Sequence, residues 1–219
     1  MSPSKATGLA KDCDKAAHTL QSFIDKSKIP PEAIANAHGL AIYTCFRAGM
    51  YFAGSSGSGV VIARLPNGTW SPPSAFSVRS GGIGFVYGID VYDCVCVLNT
   101  QAAVDAYTKP EMELGGVLAL AAGPMGRTAN IKEMKPVWTY TKSRGLYGGL
   151  TVDGTVIREK PEVNEEVYGV GVTSGQILRG EVKAQGGEGQ WPRGVEGLMT
   201  ILEIAGRREE VGIVDGVGE

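Results

Sequence analysis

The first thirty or so residues have apolar side chains at helical spacing. At about 100° per residue these side chains fall within an arc of about 120°. They are Leu9, Cys13, Ala16, Ala17, Leu20, Phe23 and Ile24. The pattern predicts an amphipathic helix that begins near Ser2-Pro3 and ends at Pro30-Pro31. A flank of Lys11, Lys15 and Lys26 gives this helix a basic edge.

Two interpretations of this helix stay open at this stage. Packing of its apolar face against a sheet is favoured, because burial of a large apolar side chain contributes roughly 1.5 to 3 kcal/mol. The alternative is a helix that lies on a membrane and inserts that face into the bilayer. Asp12, Asp14 and Asp25 weaken this alternative, because acidic side chains are repelled by anionic lipid.

After Gly39 the spacing changes from helical to strand-like. A hairpin is predicted across Pro66-Asn67-Gly68, which joins 59–64 to 69–70, and a second around Asp153-Gly154 within 149–158. Further strands are predicted at 39–46, 82–87, 94–98 and 136–140. The glycine-serine run 54–59 is interpreted as a turn or bulge that opens a strand, because it lacks the Gly-Lys-Ser/Thr ending of a phosphate loop.

Four shorter helical segments are predicted around and after these strands. They are 31–37, 100–109 with Thr100 as N-cap, 173–185 from Thr173 or Ser174, and 195–205 ended by Gly206. The predicted fold class is α+β, with a mainly antiparallel sheet, an N-terminal amphipathic helix and one or two C-terminal helices. We expect one domain over 1–206 and a mobile acidic tail over 207–219.

Composition narrows the class of protein. The 219 residues are 43% hydrophobic with a net charge of -2, which excludes a disordered chain. The longest uncharged apolar stretch, 114–126, is shorter than the roughly 20 residues that a transmembrane helix needs. The N-terminus has no apolar signal-peptide core, so we expect a cytoplasmic protein. A pI of 5.8 and 7% aromatic residues disfavour nucleic acid as a partner.

Candidate chemistry is sparse. The four cysteines have neither disulfide-scaffold density nor zinc spacing, and Cys94 and Cys96 alternate as core residues of a strand would. The two histidines, His18 and His38, belong to no metal or triad spacing. The spacing of Asp90 and Asp93 is interpreted as part of a turn rather than as a calcium or paired-acid site. We therefore predict no catalytic residues, no metal and no cofactor.

Positive charge is concentrated between Pro124 and Arg144, where Glu133 is the single acidic residue. The basic residues are Arg127, Lys132, Lys135, Lys142 and Arg144. Such a stretch is either a solvated face with carboxylates nearby in space or a patch that binds phosphate-bearing headgroups or an acidic protein.

Several motifs in one order along 10–180 resemble a SYLF domain. They are KAA at 15–17, FI at 23–24, Ile34, AHGLAI at 37–42, GSGVV at 57–61, NGTWSPPS at 67–74, LNT at 98–100, AV at 103–104, AGPMGR at 122–127 and YTKSRGLYGG at 140–149. The segment 67–74 is similar to the family pattern Gly-x-Trp-Ser-x-Pro-Ser. The series is more specific than any one glycine motif. Many members also carry an SH3 domain, of which this sequence shows none.

The resemblance implies a non-catalytic peripheral membrane adaptor that binds phosphoinositides and actin filaments at the plasma membrane, endosomes or cortical actin and acts in endocytosis. Lipid contacts in the family are attributed to the N-terminal helix. They correspond here to Lys5, Lys11 and Lys15 with Leu9, Leu20 and Phe23. The basic stretch is then the anion or actin patch, and filament bundling would require two filament sites or a homodimer. The alternative is an intracellular carrier with an apolar cavity for a lipid or small molecule.

Overall fold

The computed structural model describes residues 8–114, 120–122, 135–182 and 194–207. The helices are α1 Gly8–Asp25, α2 Pro31–Ala35, α3 Gln101–Ala106, α4 Pro161–Tyr168, α5 Ser174–Leu178 and α6 Val195–Arg207. The strands are β1 Gly39–Ala63, β2 Ser74–Leu98, β3 Glu111–Leu114, β4 Leu120–Ala122, β5 Val137–Ser143 and β6 Leu146–Glu159. All strand pairs are antiparallel except the pair of β4 with β5. The predicted α+β class is confirmed.

Strand β2 is the centre of the sheet. It pairs with β1 along one edge over nearly its whole length. Its other edge is shared, because β6 pairs with Phe76 to Ile89 and β5 pairs with Tyr92 to Leu98. The remaining strands extend the sheet outward, β3 beside β6 and β4 beside β5.

Strand β1 folds back against itself. A Cβ atom added at Gly59 would overlap the Ile42 carbonyl oxygen and Tyr43, and one at Gly57 would overlap Thr44 and Cys45. Glycine is required at these two positions because the two ends of the same strand approach through their backbones. A register shift between Met50 and Phe52 lies where the strand reverses its course. Both halves of β1 therefore pair with β2, and β6 pairs with the other edge of β2 as far as Ile89.

Two apolar clusters lie on opposite faces of the sheet, as the two-residue period of a strand requires. One face carries Leu40 and Ile42 and is covered by the apolar stripe of α1, on which α6 packs. The other face carries Ala41 and Tyr43 and packs with side chains of α3 and α5. All four cysteines are buried, which confirms the core position predicted for Cys94 and Cys96.

Helix α1 is held to the sheet by a buried carboxylate as well as by apolar packing. Asp12 accepts hydrogen bonds from Ser58 Oγ at 2.8 Å and from Lys160 Nζ at 3.2 Å. Ser58 belongs to β1 and Lys160 precedes α4. The aspartate that weakened the membrane interpretation of α1 thus joins the helix to two other elements.

Local signals predicted several elements correctly. The Thr100 side chain caps α3 by accepting from the Ala103 N–H at 3.2 Å, and Thr173 forms a capping box with Gln176 at the start of α5. The turn between β1 and β2 contains Asn67, whose side chain accepts from the Thr69 N–H at 3.0 Å. These bonds confirm two helix starts and the turn at Asn67. Arg64 bridges to Trp70 across that turn, but residues 59–61 pair with 74–76 rather than with 69–70.

Other predictions were wrong. Residues 149–158 are not a hairpin, because β6 runs through Asp153-Gly154 as one strand that pairs with β2. Residues 54–59 are not a turn but part of β1. Helix α5 ends at Leu178, before Gly180 at φ 71°, and α6 continues past Gly206 to Arg207. Helix α4, with Pro161 in its first turn, was not predicted. The expected acidic tail lies outside the described residues from 208 onward.

A candidate anion-binding groove beside the first helix

The covered face of the sheet ends in a row of polar side chains. In the strand register Thr44 of β1 lies opposite Asp93 of β2, and Asp93 lies opposite Lys142 of β5. One row inward, Ile42 and Val95 are fully buried beneath α1. The polar row therefore marks where the hydrophobic core stops.

A groove of 320 Å³ separates this row from α1. We call it the basic groove; its lining residues are Asp14, Lys15, His18, Thr19, Ser22, Thr44, Asp93, Lys142 and Arg144. Strand β5 supplies Lys142, the turn that follows it supplies Arg144, and the helix supplies Lys15. Lys26 lies close enough to Lys142 to repel its ammonium group. Four cations and two carboxylates thus meet here, an excess of two positive charges.

Hydrogen bonds fix two of the four cations. Lys142 Nζ donates to Ser22 Oγ of α1 at 3.1 Å, while the Arg144 guanidinium forms an ion pair with Asp93. Asp93 also accepts from Thr44 Oγ1 at 2.9 Å. Repulsion by Lys26, partial desolvation and repulsion by Arg144 lower the pKa of Lys142. Because an anion in the groove would relieve this repulsion, the arrangement favours anion binding.

Asp90 positions the Arg144 backbone from within the sheet. Its Oδ1 accepts from the N–H groups of Arg144 at 3.1 Å and Gly145 at 2.8 Å, and its Oδ2 accepts from Arg47 Nη2 at 2.9 Å. Burial acts to raise the pKa of Asp90, but hydrogen bonds from Ser143, Gly145, Arg144 and Arg47 outweigh it and lower that pKa. The turn from β5 to β6 is therefore anchored to a buried, ionised carboxylate.

Beyond the polar row, the same face of the sheet is apolar and exposed. Phe46 lies opposite Val91, Ala48 opposite Ile89 and Met50 opposite Tyr87. The exposed fractions are 51% for Phe46, 64% for Met50, 78% for Tyr87 and 62% for Ile89. We call these three rows the tip face. The Arg144 N–H donates to the Val91 carbonyl at 3.0 Å, which places Arg144 at the boundary between the polar row and the tip face.

The structure divides the predicted lipid contacts of α1 into two groups. Lys11 and Lys15 are exposed, and Lys15 lines the basic groove. Leu9, Leu20 and Phe23 are buried in the core, so a bilayer cannot reach them while α1 stays docked. Their burial agrees with the core interpretation of the helix. Lys5 lies outside the described residues.

The predicted basic stretch is not gathered into one patch. Lys142 and Arg144 line the basic groove, but Lys135 is exposed before the opposite end of β5. At about 3.3 Å per residue, the strand separates Lys135 from Lys142 by roughly 20 Å. Arg127 and Lys132 lie outside the described residues. Sequence reasoning missed Thr44, Ser22 and the role of Asp93, because no local motif links α1 to the middle of β1 and β2.

A family model matches residues 79–205, which is more than half of the chain. The model is described as Ysc84, a Las17-binding protein actin regulator. The chain belongs to the Ysc84 family. This confirms the SYLF resemblance that the sequence motifs indicated.

Known proteins of this family are similar in sequence over most of the chain. It is 38% identical over 209 residues to LAS seventeen-binding protein 3 of Saccharomyces cerevisiae, covering 89% of this chain and 44% of the relative. It is also 38% identical over 209 residues to the SH3 domain-containing YSC84-like protein 1 of Homo sapiens, covering 90% and 59% respectively. The chain thus spans about half the length of these relatives. No solved structure matches it.

The described residues of the chain show neither a membrane-spanning helix nor a metal site. None of its described helices combines the length and the apolar character needed to cross a bilayer. Among the described side chains, no group of three or more His, Cys, Asp and Glu is placed to hold a metal ion.

Proposed function

We propose that this chain is a non-catalytic adaptor that binds actin filaments and anionic, phosphoinositide-containing membranes at the cell cortex. Family membership supports the link to actin, because the family is described as an actin regulator. Relatives that are named LAS seventeen-binding proteins support a place among actin regulators. The single observation that carries the binding half of the proposal is the basic groove, where three elements bring cations together.

The groove suits a phosphate-bearing ligand in three respects. Lys15 comes from the α1 wall and Lys142 from the sheet, so an anion in the groove meets cations from two elements. Thr19 and Ser22 add hydroxyl groups to the wall formed by α1. Arg144 offers the planar donor set that matches phosphate oxygens, although its pairing with Asp93 uses part of it. Binding of this kind weakens as salt concentration rises.

Actin filaments present an acidic surface, so the same cations serve a second partner by the same electrostatics. Regulation of cortical actin or endocytosis then follows from bringing filaments and membrane to one adaptor. Bundling of filaments would require a second filament site or a homodimer. The buried apolar side chains of the described residues form two packed clusters, which supports an adaptor over the alternative of a carrier with an apolar cavity.

Charge reversal in the groove tests this function. We expect Lys15→Glu and Lys142→Glu each to weaken pelleting with phosphatidylinositol bisphosphate vesicles about tenfold, because each cation near an anionic membrane contributes about 1 kcal/mol. Co-sedimentation with actin filaments is measured on the same variants. Lys109→Glu is the matched control, since Lys109 is exposed beyond α3 and changes the net charge equally.

The control decides how a loss of binding is explained. Equal losses in Lys15→Glu and Lys109→Glu would show that net charge matters and the groove does not. Unchanged binding of both partners in the two groove variants would remove the basic groove from the proposed function. Loss of one partner alone would assign the groove to that partner.

A further inference from the structure

The tip face is an apolar surface whose large side chains are mostly exposed. Its three rows follow one another along β1 and β2, and the side chains point to the face on which α1 is docked. Four of its members are more than half exposed: Phe46, Met50, Tyr87 and Ile89. Single exposed apolar residues are ordinary, but adjacent rows of large ones mark an interaction surface.

We propose that the tip face inserts into the interfacial region of a lipid bilayer whose headgroups are anionic. This assignment rests on the proposed function and deepens it, because it names a membrane-contacting surface other than the apolar face of α1. The occupant is identified by charge complementarity. Lys142 and Arg144 form the edge of the tip face, where headgroup phosphates meet a protein whose apolar rows enter the acyl boundary.

The spacing of the rows fits the layers of a bilayer. Successive residues on one face of a strand are roughly 7 Å apart, so the first apolar row lies about 7 Å beyond the polar row and the last about 20 Å. The polar headgroup layer is roughly 5 to 8 Å thick on each side of the hydrocarbon. With the strands inclined to the membrane, cations at the polar row therefore reach the phosphates while Phe46 and the rows beyond it enter the boundary between headgroups and acyl chains.

A second copy of the chain is a less suitable occupant of the same face. Pairing about a two-fold axis would place this surface against itself, and Arg144 and Lys142 at its edge would approach their own copies. Like charges opposed in this way cost binding energy. An anionic bilayer replaces that repulsion with attraction.

The test compares two double variants that remove equal kinds of apolar surface. Met50→Ser/Ile89→Ser alters the tip face and leaves the basic groove intact. Val170→Ser/Ile204→Ser is the control, because Val170 and Ile204 are exposed large apolar residues outside the tip face. The probe is vesicles of phosphatidylcholine with and without phosphatidylserine, and thermal unfolding checks that each variant is folded.

We expect the tip variant to bind phosphatidylserine vesicles at least tenfold more weakly than the control variant. The residual binding of the tip variant should vanish at high salt, since only its electrostatic part remains. In a second measurement, Met50→Cys carries an environment-sensitive fluorophore, which the buried native thiols do not take up. Its emission should shift to the blue on addition of these vesicles, whereas a label at Val170→Cys should not shift.

Each contrary outcome has a distinct meaning. If the unmodified chain binds anionic vesicles and the tip variant binds them equally, with no fluorophore shift, the tip assignment is overturned and the proposed function stands. If the unmodified chain does not bind, the membrane half of the proposed function fails and the tip assignment fails with it. If the tip variant changes the oligomeric state in light scattering but not vesicle binding, the face is a contact between copies.

Discussion

One face of the sheet contains two regions with the same alternating pattern and opposite surroundings. Near the start of β1, Leu40 and Ile42 are fully buried beneath α1. A few residues further along the same strand, Phe46 and Met50 follow the same two-residue period and are exposed. The polar row of Thr44, Asp93 and Lys142 lies between the two regions.

The difference teaches that a strand pattern defines a face but not what covers it. Helix α1 is 18 residues long, or about 27 Å at 1.5 Å per residue. The 25 residues of β1 have a contour length of about 80 Å, of which roughly 40 Å precedes the reversal near Met50. The helix cannot cover the whole length of the strand, and the polar row lies where its cover ends.

The largest difference in stability between the two regions is expected when one phenylalanine in each region is replaced by alanine. We expect Phe23→Ala to lower the free energy of unfolding by about 3 to 5 kcal/mol, because Phe23 is fully buried under the sheet. Phe46→Ala should change it by less than about 1 kcal/mol, since half of that side chain is already exposed. Urea unfolding of both variants measures the two losses of stability. Equal losses would show that the two regions are buried to the same extent.

A somewhat smaller effect is expected at Asp90, whose carboxylate holds the turn that follows β5 at the edge of the polar row. Asp90→Asn should lower the free energy of unfolding by about 2 to 3 kcal/mol, because the buried carboxylate loses its charge-assisted hydrogen bonds with Arg47 and with the backbone N–H groups of Arg144 and Gly145. Since the pKa of Asp90 is lowered in the folded chain, its stabilisation is present above the ordinary value of 3.8 and is lost as the pH falls through the folded-state value.

Unfolding measured as a function of pH checks this second expectation. The unmodified chain should lose stability in acid more steeply than Asp90→Asn, which has no carboxylate to protonate at this position. Parallel pH profiles for the two proteins would show that Asp90 is not the titrating anchor.

The smallest effect is expected where α1 meets the polar row. Ser22→Ala removes the hydroxyl that accepts from Lys142 Nζ, and we expect it to lower the free energy of unfolding by about 0.5 kcal/mol, because the ammonium group can turn to water. Thr19→Ala, in the same helix and groove, is a suitable control for loss of a hydroxyl group. A loss above about 2 kcal/mol in Ser22→Ala alone would mean that the boundary is stabilised mainly by this bond.

The parts of the fold that the sequence predicted are those set by neighbouring residues. The stripe of α1, the Thr100 and Thr173 caps and the Asn67 turn each depend on contacts within a few positions. The self-approach of β1 at Gly59 was not predicted, because glycine and serine there resemble a loop until the opposite end of the strand is known.

The candidate site escaped prediction for a similar reason. The basic stretch drew attention to Lys142 and Arg144, and the helix pattern to Lys15, but only the strand register brings them to one groove. In the sequence Phe46 and Ile89 look like core residues. They are exposed because α1 does not extend over this part of the sheet. Long-range geometry, rather than composition, decides which residues of this chain are available to partners.

The buried link between Asp12, Ser58 and Lys160 has a consequence for how the molecule opens. Lifting α1 from the sheet breaks a carboxylate's contacts with β1 and with the start of α4 together with the apolar packing. Elements joined in this way open as one cooperative unit. Amide hydrogens of α1 and of the Leu40 region should therefore exchange with deuterium at a common slow rate, while those near Met50 exchange sooner.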